Sequence, residues 1–178
     1  MFDAGRKNVF LTGAIGAGKS TAVNRFVQTL DFVPAGFKTL PAEPEKNGWN
    51  TLVIKPFGAE QPTSTVAVRD KEKQTMKVNI DAFNATGAEI LRDSRAHGPG
   101  GLIIMDELGF MENEAIVFQE EVFRCLDSET PVLGVLKAVS TPFLDAIRAR
   151  DDVREIEVTT ENREMVFDEL LKLPKCWQ

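Results

Sequence analysis

The stretch Asn8-Val9-Phe10-Leu11-Thr12-Gly13-Ala14-Ile15-Gly16-Ala17-Gly18-Lys19-Ser20-Thr21 decides how this chain is read. Its first five residues form a short apolar run of the kind that makes a buried strand. From Lys19 to Leu30, the residues Ala22, Val23, Phe26, Val27 and Leu30 recur at helical spacing, so a helix follows. The residues between, Gly13 to Ser20, fit the pattern G-x-x-x-x-G-K-[ST]. A polyphosphate needs a concave ring of backbone N–H donors, and glycine is favoured where the chain bends tightly or a side chain would block approach. Gly13, Gly16 and Gly18 meet that need, with Ala14, Ile15 and Ala17 completing the ring of backbone donors. Lys19 can then reach β- and γ-phosphate oxygens, the Ser20 hydroxyl suits Mg²⁺, Thr21 offers a donor to the α-phosphate, and the helix turns its positive end toward the anion. A glycine-rich turn with a surface lysine would match the same pattern by chance, but the flanking strand and helix favour the phosphate loop.

Beyond this stretch, apolar runs and helical patterns alternate. Gly101 to Met105 reads as a second buried strand, preceded by a helix from about Asn84 to Ala96 that the segment His97-Gly98-Pro99-Gly100 ends. Val132 to Leu136 is a third strand. Thr141 can cap the next helix and Pro142 suits its first position, with the body over Phe143 to Arg150. Val153 to Val158 reads as a strand and Glu161 to Leu173 as a closing helix. Such alternation predicts an α/β fold, a mostly parallel Rossmann-like sheet flanked by helices. The region from about Lys38 to Ile80 departs from it. Strand-like pieces at Leu52 to Ile54, Thr65 to Val68 and Met76 to Val78 are divided by the turn clusters Glu45 to Gly48 and Arg69 to Lys73, which predicts an antiparallel hairpin insertion. Without repeats or a low-complexity linker, residues 1–178 read as one domain.

The second strand runs into two acids, Asp106 and Glu107. A carboxylate at the end of a strand beside a phosphate loop can hold Mg²⁺ or its water shell, which assigns Asp106. The next acid points elsewhere, and Glu107 is therefore the candidate to orient and polarise a water that attacks the γ-phosphorus. Taken alone, acids at a strand end are ordinary solvated groups; the phosphate loop gives these two a role.

Composition sets the bounds. The chain has 178 residues, is 43% hydrophobic and carries a net charge of -6, which disfavours a nucleic-acid partner because such binding neutralises phosphates with Lys and Arg. Cys125 and Cys176 lack metal or redox spacing and read as reduced thiols, and no apolar run is long enough to span a bilayer, so a soluble cytoplasmic protein without a membrane partner is expected. His97 reads as a helix-end residue, Phe118, Val122 and Phe123 as core, Trp49 as local packing or a base-stacking ring, and Trp177 as uninformative.

Four segments together resemble a known family: Gly13 to Thr21, Gly36-Phe37-Lys38-Thr39, Asp106-Glu107-Leu108-Gly109-Phe110-Met111-Glu112, and Thr160-Glu161-Asn162-Arg163. The chain resembles the THEP-type nucleoside-triphosphatases, relatives of the cancer-related nucleoside-triphosphatase, over nearly its whole length. The resemblance implies a P-loop NTPase fold with Walker A and Walker B elements, and Mg²⁺-dependent hydrolysis of ATP, GTP and other nucleoside triphosphates with loose base selectivity. Asn162 and Arg163 sit where related folds often contact the base. Two positions depart from the family. Its D-E-[IL]-G-K-M-E stretch has a basic residue where this chain has Phe110, and its arginines after G-F-x-T are replaced by Leu40 to Glu45. Loss of such charge would slow turnover more than binding. Lys38, Arg69, Arg148 and Arg163 are candidate substitutes. Two other readings share the phosphate loop: a small nucleoside, nucleotide or metabolite kinase, which needs an arginine-bearing lid, and a nucleotide-dependent switch acting through a partner by movement of Phe37 to Pro56.

Overall fold

The computed structural model describes residues 6–42, 49–58, 64–70, 72–96 and 101–173. Its strands are β1 (Asn8–Thr12), β2 (Ala35–Pro41), β3 (Trp49–Pro56), β4 (Ser64–Asp70), β5 (Thr75–Val78), β6 (Ile103–Leu108), β7 (Val132–Leu136) and β8 (Val153–Glu157). The helices are α1 (Lys19–Val27), α2 (Ile80–Ala82), α3 (Ala88–Ala96), α4 (Ile116–Asp127), α5 (Pro142–Arg148) and α6 (Arg163–Leu170). A π-helical turn, Phe83–Gly87, joins α2 to α3, and a 3₁₀ turn, Met111–Glu114, precedes α4. The strands form one sheet in the order β5-β4-β3-β2-β6-β7-β1-β8. β2, β6, β7, β1 and β8 run parallel, while β3, β4 and β5 add antiparallel strands to one edge.

The apolar runs read as strands are apolar because helices cover both faces of the parallel sheet. Side chains alternate along each strand. Val9 and Leu11 of β1, Ile104 of β6 and Leu133 and Val135 of β7 join one core with Val23 and Phe26 of α1 and Val166 and Leu170 of α6. Phe10, Ile103, Met105, Val132 and Leu136 join the other, with Leu91 of α3, Phe118 and Val122 of α4 and Ile147 of α5. The mostly parallel sheet with an antiparallel insertion is thus the observed architecture.

The elements differ from the sequence reading at several places, and Arg69 and Asp70, read as part of a turn, lie in β4. The helix placed from Asn84 begins at Ile80, where the Asn79 side chain caps it by accepting the Ala82 N–H at 3.2 Å. The strand placed at Gly101 to Met105 is observed at Ile103–Leu108, so Asp106 and Glu107 lie inside β6 rather than after it. β2 has no counterpart in that reading: it pairs parallel with β6 and antiparallel with β3, forming the seam between the two parts of the sheet. The readings of His97, Cys176, Trp177, the turn Glu45 to Gly48 and the side chain of Trp49 lie outside the described residues.

Candidate active site

The phosphate loop leaves β1 at its carboxyl end and closes on α1. Gly13 has φ 130°, and a Cβ there would come within 2.3 Å of the Val158 carbonyl oxygen, so the first bend of the loop admits only glycine. Among the described residues no side chain caps α1, and its first turn contains no acid. The first N–H groups of the helix therefore have no local anion to satisfy them, which is the condition for accepting a phosphate. Lys19 is buried, and its ammonium donates to the carbonyls of Gly13 and Ala14, each at 2.8 Å. Ile15, at the crest of the loop, is fully exposed.

β6 brings its acids to this loop. Asp106 is buried, and its Oδ1 accepts the Ser20 hydroxyl at 2.8 Å. Burial pushes the Asp106 carboxyl above the ordinary carboxylate range; the Ser20 hydroxyl and the charges of Lys38 and Lys19 oppose the rise, and Glu107 adds to it. Strict strand alternation would turn Glu107 to the opposite face. Against β7, however, Asp106 pairs with Val135 and Leu108 with Leu136, leaving Glu107 as the extra residue of a bulge. Asp106 and Glu107 accordingly line one cleft of about 550 Å³, together with Gly16, Gly18, Lys19, Ser20, Thr21, Arg69 and Lys137.

Of the expected substitute cations, Lys38 lies opposite Asp106 in the β2–β6 register, bonded to the Asn24 side chain and 4.6 Å from the centre of the Phe57 ring. Burial lowers its ammonium below the ordinary lysine value, partly offset by Asp106. Arg69 is exposed at the cleft wall. Arg163 starts α6 beside Gly18, where a Cβ would meet its Cδ at 3.7 Å. Arg148 is committed elsewhere, to Asp145, Glu155 and the carbonyls of Lys137 and Val139. Asn162 shapes its own loop: its Oδ1 accepts the Thr159 N–H and its amide donates to the Glu157 carbonyl, both at 2.8 Å.

Two residues escaped the sequence reading. Lys137 follows β7 and places its ammonium 3.0 Å from Glu107 Oε1. Glu112, quoted above only as part of a stretch, is wholly buried and accepts the Gly109 N–H at 2.8 Å. The available signal for Lys137 was a lysine directly after an apolar strand, but the adjacency of β7 to β6 is not written in local sequence.

A phosphate loop at the carboxyl ends of a parallel sheet, with an acid of β6, one strand removed from β1, bonded to the serine that follows the loop lysine, is the build of a P-loop NTPase. A model of the NTPase family matches residues 8–171, and the chain belongs to that family. It is 30% identical over 169 residues to nucleoside-triphosphatase THEP1 of Natranaerobius thermophilus, covering 93% of this chain and 94% of that protein. With the human cancer-related nucleoside-triphosphatase it shares 28% identity over 183 residues, 93% of this chain and 95% of the other. The crystal structure of THEP1 from Aquifex aeolicus superimposes with a TM-score of 0.75 at 25% identity, over 93% of this chain and 98% of that one.

Proposed function

We propose that this chain hydrolyses nucleoside triphosphates such as ATP and GTP to diphosphate and phosphate, with Mg²⁺ as cofactor and little discrimination between bases. The observation that carries the reading is the 2.8 Å contact of Ser20 Oγ with Asp106 Oδ1 beside the phosphate loop. Mg²⁺ takes hard oxygen donors and is held by one or two protein groups together with substrate phosphates, and this hydroxyl and carboxylate fit that requirement. Bound there, the ion would neutralise charge on the β- and γ-oxygens.

The chain supplies the rest. Backbone donors from Gly13 to Ser20 hold the phosphates, Thr21 meets the α-phosphate, and Lys19 offsets charge on the β- and γ-oxygens. Glu107 orients water on the γ-phosphorus: the water oxygen forms a bond to phosphorus, the bond to the bridging oxygen breaks with its electron pair leaving on the diphosphate, and the water proton passes to the carboxylate. Arg163, beside Gly18, contacts the nucleotide from the α6 side, and Asn162 contributes through the loop it holds. That loop spends its amide groups internally, which supports loose base selectivity. Arg148 and Arg150 are tied to Asp145, Glu155, Asp127 and Asp152, which speaks against a lysine- or arginine-bearing kinase lid formed by α5. No helix among the described residues is long and apolar enough to cross a membrane, and a cytoplasmic location is part of the same reading.

The test is phosphate release from ATP, GTP, CTP and UTP with Mg²⁺ and with EDTA, and without another acceptor. Metal-dependent release with several bases is expected. Glu107→Gln should keep nucleotide binding and lose turnover by about 10²–10⁴-fold, the worth of a general base, and Lys19→Ala should lose tight triphosphate binding. Retained turnover in Glu107→Gln would remove Glu107 from this role.

A further inference from the structure

A positive charge stands beside both Glu107 and Phe110, and Lys137 supplies it from the end of β7. The aliphatic stem of Lys137 crosses Gly109 so closely that a Cβ there would lie 2.9 Å from Lys137 Cδ and 3.3 Å from Cε. Its ammonium ends 3.0 Å from Glu107 Oε1 and 5.4 Å from the centre of the Phe110 ring. The side chain at position 110 and the Lys137 ammonium are therefore neighbours, and a lysine at either position can bring its charge beside Glu107.

The backbone of Lys137 is fixed on both sides. Its N–H donates to the Leu108 carbonyl at 2.9 Å, and its own carbonyl accepts the Arg148 guanidinium at 2.8 Å. Arg148 in turn is anchored by Asp145 and Glu155. A half-buried lysine held at its backbone, bedded along a glycine and aimed at a carboxylate in the cleft is built to fix that carboxylate's direction. Solvent-exposed lysine pairs lack such support and are worth little.

We propose that Lys137 is the positioning residue for Glu107, reaching it from the end of β7 along Gly109. The proposal rests on the hydrolytic role of Glu107 above. Lys137 holds the carboxylate over the phosphate loop, and Phe110 covers the flank of the ammonium. Its effect falls on the rate of the chemical step and hardly on triphosphate affinity.

The experiment compares kcat and KM for ATP in the wild type, Lys137→Met, Lys137→Arg, Glu107→Gln, Lys137→Met with Glu107→Gln, and Lys137→Met with Phe110→Lys. Thermal midpoints are measured alongside. Methionine keeps the stem over Gly109 and removes the charge; a loss in kcat on the order of 10²-fold is expected, the scale of a misplaced reacting group, with KM within about threefold. Arginine should retain kcat within about tenfold of wild type, and lysine at 110 should restore about tenfold to the methionine variant. On the Glu107→Gln background, Lys137→Met should cost nothing further, because both act through one carboxylate. Wild-type kcat in Lys137→Met, or losses that add fully in the double variant, overturns the proposal. If Lys137→Met does not fold, the decision passes to Lys137→Arg, where a loss as large as about 10²-fold counts against it. A wild type without phosphate release instead removes the hydrolytic reading itself.

Discussion

Glu112 is a carboxylic acid in surroundings suited to its neutral form. One oxygen accepts the Gly109 N–H, and the other, Oε1, has no partner among the described residues. Burial pushes its carboxyl up to about 7 from 4.5, against the pull of the Gly109 N–H, its own N–H and the Lys137 charge, while Glu107 adds to the rise. The folded state therefore keeps a proton that the unfolded state releases between those values. Stability consequently falls as pH rises through this window; below it the group contributes no pH dependence, and above it the full cost is about 3 kcal/mol. Glu112→Gln cannot ionise. Urea unfolding at several pH values should show its stability gaining on the wild type by up to about 3 kcal/mol between pH 4.5 and 8; parallel curves for the two proteins would show that Glu112 does not titrate in the fold. Residue placement was legible in sequence where spacing alone decides it, as with Lys19 and Ser20 beside the glycine loop and Asp106 and Glu107 as adjacent acids of one strand. Glu112 was not, because a glutamate in a short turn gives no sign of being wholly buried.

Among the elements, α5 shows which boundaries are local chemistry. Thr141 accepts the Leu144 N–H at 3.2 Å and Pro142 opens the helix, as the sequence predicts. Thr141→Ala should cost about 1 kcal/mol by loss of the cap, seen as a lower urea midpoint with an unchanged slope; no change would mean that water or packing holds the helix start equally well. β2 is the opposite case. Its polar residues Lys38 and Thr39 hide the strand pattern, and its pairing depends on contact with a distant strand: a Cβ on Gly36 would sit 1.9 Å from the Ile104 carbonyl oxygen. The bulge at Glu107 is equally invisible, since it exists only as a mismatch between β6 and β7. Both features set the site, because β2 brings Lys38 opposite Asp106 and the bulge turns Glu107 into the cleft.

At the scale of the whole molecule, one sheet couples two cores. The face carrying α1 and α6 supports the phosphate loop, and the face carrying α3, α4 and α5 is centred on aromatic rings. Phe118 of α4 meets Phe37 of β2 at 5.5 Å and Phe83 of the π turn at 5.4 Å, and Gly87 admits it so closely that a Cβ there would lie 2.8 Å from the ring. Truncating this ring removes contacts to strand, turn and helix together. Phe118→Ala should therefore cost about 3–5 kcal/mol, a large share of the roughly 5–15 kcal/mol that holds a typical domain. Because β1, β6, β7 and β8 each have side chains in both cores, the loss should lower the stability of both faces in one transition. The phosphate loop lies on the other face, so the fraction that remains folded should bind nucleotide as the wild type does. Urea unfolding followed by far-UV circular dichroism and by release of a fluorescent nucleotide distinguishes the possibilities. Coincident curves shifted to lower urea are expected; nucleotide release unshifted while helicity falls early would mean that the two faces unfold independently and that the sheet does not couple them.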